Sequence, residues 1–235
     1  MEAFSLKTPF FKKLGDPKLL VLACVVMEKE IQQFQNGRVE FKYFDYGLHR
    51  TPENMFKTLQ FEIDLASRED YNGIILGYGL CSNGIVGVHS RKQTLIVPRI
   101  HDCITLFLGS VESYQRQSTE YPGTYYLTRG WIEKGQTPLS KYESYVKSYD
   151  QETAGWVLHE EMKNYTRIVF IDTRISPAEP YREIAQENAK FMGLAYEEIE
   201  GSPRLFEELV CGPWGKDFLI VKNGESIQQE MFLDL

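Results

Sequence analysis

Residues 19–26, Leu-Leu-Val-Leu-Ala-Cys-Val-Val, pass without a single polar side chain. A half-buried strand alternates polar and apolar residues, so an unbroken run predicts a strand covered on both faces. That is the mark of a parallel sheet packed between helices. The run falls well short of the roughly 20 residues that a bilayer span needs. Gly73-Ile-Ile-Leu76, Thr94-Leu-Ile-Val97 and Arg167-Ile-Val-Phe-Ile-Asp172 repeat the pattern, and Val39–Phe44 alternates like a strand at the sheet's edge.

Helical segments fall between these strands. Residues 27–35 read as one helix. Pro52 opens another with Phe56, Leu59, Ile63 and Leu65 as its inner stripe, and Asp102 caps a third from Cys103 to about Gln115. Strand–helix alternation predicts an α/β fold with a parallel, Rossmann-like sheet and helices on both faces. The expected organisation is an N-terminal Rossmann-like lobe over 18–118, an aromatic strand segment with a helical insertion over 119–165, and a C-terminal βαβ lobe over 166–235. Whether the two βαβ-rich halves share one long sheet is open at this point. Residues 1–17 form a polar and aromatic lead-in.

Lysines at 12, 13 and 18 precede the first strand, and Val21-Leu-Ala-Cys24 resembles a lipoprotein cleavage site. Only about five apolar residues stand before Cys24, however, where a secretory signal wants roughly 7–15. The four cysteines, Cys24, Cys81, Cys103 and Cys211, have no framework spacing and read as reduced thiols in the cytoplasm. With 26 Lys+Arg against 33 Asp+Glu, the net charge is -7. No basic face is written here, which argues against nucleic-acid and anionic-membrane partners.

Open parallel sheets bind ligands beyond the carboxyl ends of their strands. The first strand ends at Cys24, and the second runs into Asp45-Tyr-Gly-Leu-His-Arg50. The third enters Gly77-Tyr-Gly-Leu-Cys-Ser-Asn-Gly84, and the fourth delivers Pro98-Arg-Ile-His-Asp-Cys103. Three of four cysteines and two of four histidines thus gather on one edge. Thiolate and imidazole suit zinc or iron, which makes Cys24, Cys81, His101 and Cys103 candidate metal ligands. At a helix start, Cys103 is expected to have a lowered pKa. The blander reading stays open: Cys24 fills the core, His101 bonds a carbonyl and Asp102 only caps. Cys211, just before Gly212, reads as inert.

His101, Asp102, Tyr126 and Asp172 are the candidate catalytic groups, Asp172 and Arg174 ending the strand that opens the second half. Gly77, Gly79 and Asn83 offer backbone to a phosphate-bearing ligand, although the spacing does not match G-x-G-x-x-G. Tyr125, Arg129 and Trp131 supply rings and a cation for a flat or anionic ligand, and Arg99 would meet an anionic group. A β-hairpin burying these rings is the competing account.

Four blocks carry a family resemblance: Asp45–Pro52, Gly77–Gly84, Pro98–Gly109 and Pro122-Gly-Thr-Tyr-Tyr-Leu-Thr-Arg-Gly-Trp-Ile-Glu133. Together they resemble an uncharacterised prokaryotic family, domain of unknown function 1638, over roughly residues 18–222. The resemblance implies anaerobic hosts and genes beside corrinoid-dependent methyltransferases, with no defining activity. The expectation is a metal-binding protein, an enzyme such as a metal-dependent transferase or an accessory factor of corrinoid and one-carbon metabolism. A corrinoid contact, and a corrinoid protein or methyltransferase as partner, go with it. The alternatives are a non-enzymatic binder of a nucleotide or pterin through the Gly77–Gly84 loop, and a partner subunit of a methyltransferase.

Overall fold

The computed structural model describes residues 18–175 and 177–233, so the 1–17 lead-in lies outside the described residues. In chain order, β1 (Leu19–Cys24) runs through one 3-10 turn into α1 (Glu28–Gln32). Next come β2 (Val39–Phe44), α2 (Pro52–Ala66), β3 (Gly73–Gly77) and β4 (Thr94–Pro98). After α3 (Ile104–Leu108) and α4 (Val111–Glu120), the chain forms β5 (Thr124–Leu127) and α5 (Arg129–Lys134). Then follow α6 (Pro138–Tyr145), α7 (Gln151–Met162) and β6 (Arg167–Asp172). The described chain continues with α8 (Tyr181–Met192), β7 (Ala195–Glu200), α9 (Arg204–Cys211) and β8 (Phe218–Val221).

The fold is α/β, with two sheets rather than one. The larger has the order β2-β1-β3-β4-β8, and the smaller β5-β6-β7. Every pairing is parallel except β4 with β8, which is antiparallel. All six residues of β1 are buried, as its unbroken apolar run requires. One cluster unites β1, β3 and β4 with Met55, Leu59 and Ile63 of α2 and with Phe206 and Leu209 of α9. It also takes in Val169 and Ile171 of β6.

Four local expectations change. The helix expected from Cys103 to Gln115 is two, because Gly109 takes a left-handed φ of +78° and Ser110 caps a new start by accepting from the Ser113 amide. The inner stripe of α2 is Met55, Leu59, Ile63 and Ala66, whereas Leu65 lies on its outer side and is exposed. Tyr125 and Tyr126 belong to no hairpin, since β5 pairs in parallel with β6. The last strand does not extend the second sheet but returns to the first, where Phe218 faces Pro98 and Val221 faces Leu95.

The two sheets meet where α5 packs on the turn after β1. A Cβ on Gly130 would sit 1.7 Å from the Val26 carbonyl oxygen, so only glycine fits there. Beside this joint Glu30 is 1% exposed and accepts from the Thr173 hydroxyl at 3.3 Å. Burial raises its pKa against the opposing pull of Arg129.

Gly130→Ala is therefore expected to lower stability by about 3 kcal/mol or more, since backbone must move to clear the clash. Gly155 in α7 meets nothing within 4 Å, and Gly155→Ala should raise stability by about 0.5–1 kcal/mol. Urea midpoints of the two variants measure both, and a neutral Gly130→Ala would show that the joint is not tight.

Candidate functional site

A cavity of about 630 Å³ opens between the carboxyl edge of the larger sheet and strand β5. Cys24 from the end of β1, Cys81 from the loop after β3 and His101-Asp102-Cys103 from the loop after β4 line one side. His49 and Arg50, in the turn after β2, line it too. Tyr125 and Tyr126 of β5 and Trp131 of α5 stand on the other side. The parallel order β2-β1-β3-β4 brings these strand ends together, which is the physical basis of the strand-end rule.

The loops after β3 and β4 are joined by backbone. Leu80 N–H donates to the Ile100 carbonyl at 2.9 Å and Cys81 N–H to the His101 carbonyl at 3.1 Å. Cys81, Ser82 and Asn83 then take φ values of 46°, 56° and 67°, three non-glycine residues in succession in the left-handed region. Such residues cost on the order of 1–3 kcal/mol each. The turn closes with Gly84 N–H donating to the Cys81 carbonyl at 3.0 Å. Asp102 caps the next turn, accepting from the Ile104 amide at 2.8 Å.

Cys24, Cys81 and Cys103 lie within electrostatic reach of one another. Burial pushes the Cys24 thiol up to about 11. Cys103 is raised well above the usual thiol range, first by its hydrogen-bond interaction with Cys81 and then by burial. The expected lowering by a helix start is overturned: α3 has only five residues, and the neighbouring thiol, burial and the Asp102 charge outweigh its dipole. Among the described residues, no three His, Cys, Asp or Glu side chains stand ready as a set for one metal ion.

Tyr78 is the group that sequence reading passed over. It is 2% exposed and lines the cavity, and its buried hydroxyl has no hydrogen-bond partner among the described residues. An unpaired buried hydroxyl costs about 1–3 kcal/mol. Burial and the three cysteines raise its pKa well above that of an ordinary tyrosine. The available signal was a tyrosine between two glycines at a strand end.

Six expected residues stand elsewhere. A Cβ on Gly77 would lie 2.6 Å from the Ala23 Cβ and one on Gly79 2.7 Å from the Ile100 oxygen. Both positions are thus close-packed, and neither glycine lines the cavity. Asn83 lies outside the cavity lining, so this loop lends Cys81 and Ser82 to the cavity instead. Arg99 donates to the Met231 and Leu233 carbonyls and fastens the C-terminal segment. Asp172 accepts from Arg182 at 2.9 Å and from the Arg174 amide at 2.8 Å. With Arg129, it borders a separate small pocket beside Glu30. Cys211 sits near the Phe34 carbonyl at 3.8 Å, away from the other thiols.

In chelator-treated protein at pH 8, Cys24 should react with iodoacetamide on the order of 100-fold slower than an ordinary thiol, because its thiolate fraction is that much smaller. The rate should rise about tenfold per pH unit toward pH 11. Peptide-resolved mass spectrometry reads it, and a plateau below pH 9 would contradict the protonated state.

Neither the curated proteins nor the solved structures yield a significant match to the chain. Among family patterns, the one described as Protein of unknown function (DUF1638) matches residues 43–210, more than two thirds of the chain. Cys81, His101, Asp102 and Cys103 fall inside the match, and Cys24 precedes it. The chain belongs to the DUF1638 family.

Proposed function

We propose that Cys24, Cys81 and Cys103 hold a thiophilic metal, zinc or an iron-based centre, on the floor of a cavity that receives a small organic ligand. The observation that carries this reading is the meeting of three thiols from three adjacent strand ends with the unpartnered Tyr78 hydroxyl. An all-sulfur donor set suits these metals, and negatively charged sulfur would give the Tyr78 hydroxyl the acceptor it lacks. His101, on the same floor, is a further donor.

A metal with an open position supplies Lewis acidity or an activated nucleophile when bound. The chain's own part is to release the Cys24 and Cys103 protons and to exclude water with its aromatic walls. The Asp102 carboxylate is engaged in capping, so a proton-carrying role falls to His101 or Tyr126. The gene neighbourhoods implied by the family resemblance favour methyl-group transfer, with the chain as enzyme or accessory factor and a corrinoid protein or methyltransferase as partner. Four unbridged cysteines suit a reducing compartment such as the cytoplasm. None of the described helices is long and apolar enough to cross a membrane.

The second reading is a metal-free binder of the same organic ligand, favoured by the lack of a ready set for one ion. Metal analysis with an absorbance spectrum on anaerobically purified protein separates the two. Near-stoichiometric metal is expected in the parent and in Cys211→Ser. It should be lost from the double variant Cys81→Ser/Cys103→Ser, whose urea midpoint stays close to the parent's. Full retention in the double variant, or none in the parent, ends the metal reading.

A further inference from the structure

We infer that the ligand of this cavity is a planar aromatic or heteroaromatic acid, its rings held between the tyrosine and tryptophan walls and its anionic group at Arg50 and Lys141. The inference rests on the ligand-binding part of the proposed function and does not require the metal.

Rings dominate the lining. Eight of its 24 residues are Phe, Tyr or Trp, against 13% of the chain. These rings are fixed before any ligand arrives. Tyr125 meets Tyr165 edge to face at 5.1 Å and 78°, and Tyr46 backs Trp131 at 5.7 Å and 76°. The Tyr125 hydroxyl and the Trp131 indole N–H both donate to the Gln136 carbonyl, at 3.2 and 3.0 Å. Such walls favour a flat partner that stacks without reordering them. At about 630 Å³, the cavity lies within the usual range for small organic ligands and admits two or three fused rings.

Charge selects an acid. The chain has 33 acidic residues and a net charge of -7, yet Asp102 is the one acid in the lining, and it is engaged in capping. Arg50 and Lys141 line the same cavity. Lys141 pairs with Glu161 at 2.9 Å, a carboxylate outside the lining that also accepts from the Tyr145 hydroxyl. Asp45, behind His49, is occupied by the Gly47 amide. Arg50 hydrogen-bonds the Gln136 side-chain oxygen at 3.2 Å and lies over the Tyr46 ring. Among the described residues no carboxylate forms an ion pair with it, and Glu161 interacts with it at longer range. The lining therefore has two cations to one acid on an acidic protein, while its floor holds raised thiols and a buried donor, the Tyr78 hydroxyl. A flat acid fits both ends, with ring atoms toward the floor and the anion at the rim.

Isothermal titration of chelator-treated protein with 2-naphthoate, 2-naphthyl phosphate and 2-naphthamide tests this, since the three share one ring system. At least one acid should bind about tenfold or more tighter than the amide, and the tighter acid identifies carboxylate or phosphate as the favoured group. The double variant Arg50→Gln/Lys141→Gln should lose that preference while keeping its affinity for the amide. Equal binding of all three probes by the parent, or binding of none, overturns the inference. Retained acid preference in Cys81→Ser/Cys103→Ser would show that it survives even where the metal reading fails.

Discussion

Where α5 rests on the Val26 carbonyl, no side chain can intervene, and the rest of the molecule is arranged around that contact. Gly130 brings the helix start down onto the turn after β1, while Thr128 caps it by accepting from the Trp131 amide at 3.1 Å. Trp131 is thereby set against the strand ends of the larger sheet. The far end of β5 is fixed by Arg167, which is 4% exposed, donates to Thr124 at 2.8 Å and lies 3.8 Å above the Tyr121 ring. With both its ends secured, β5 becomes a rigid wall, and the cavity exists without a ligand to shape it.

Unfavourable terms gather on the opposite side, though not there alone, since Arg174 is left-handed too and the buried Tyr43 and Thr105 hydroxyls have no partner among the described residues. Three successive left-handed residues and one unpaired buried hydroxyl occupy neighbouring positions, 78 and 81–83. At about 1–3 kcal/mol each, they rival a sizeable part of a typical domain's net stability. Their adjacency within residues 78–83, next to Cys81, sets this loop apart from the isolated examples elsewhere in the fold.

The sequence made this edge legible because a parallel sheet converts strand order into spatial neighbourhood. Once β1, β3 and β4 are recognised as fully buried, Cys24, Cys81 and Cys103 must end on the same side. Partners distant in sequence were not legible. Arg99, Arg129 and Asp172 have the chemistry of site residues, but Arg99 is taken by the C-terminal segment, Asp172 by Arg182, and Arg129 lies on the far side of the joint. No local pattern announces such pairings. Gly77 and Gly79 are ambiguous for a related reason, since a glycine needed for close packing reads like one needed for a phosphate. The return of β8 to the first sheet likewise depends on contacts more than 100 residues apart.

The thiol floor and the cationic rim constrain each other. Thiols held protonated by burial add no negative charge of their own, so Asp102 is the one acid in the lining that opposes the field of Arg50 and Lys141. Ionising the thiols reverses that balance, because up to three negative sulfurs would then face an acid ligand within the same walls. A bound cation restores it by compensating the sulfur charge. On the proposed reading, a metal on the floor and an acid at the rim would influence each other through charge, with no movement of the backbone required.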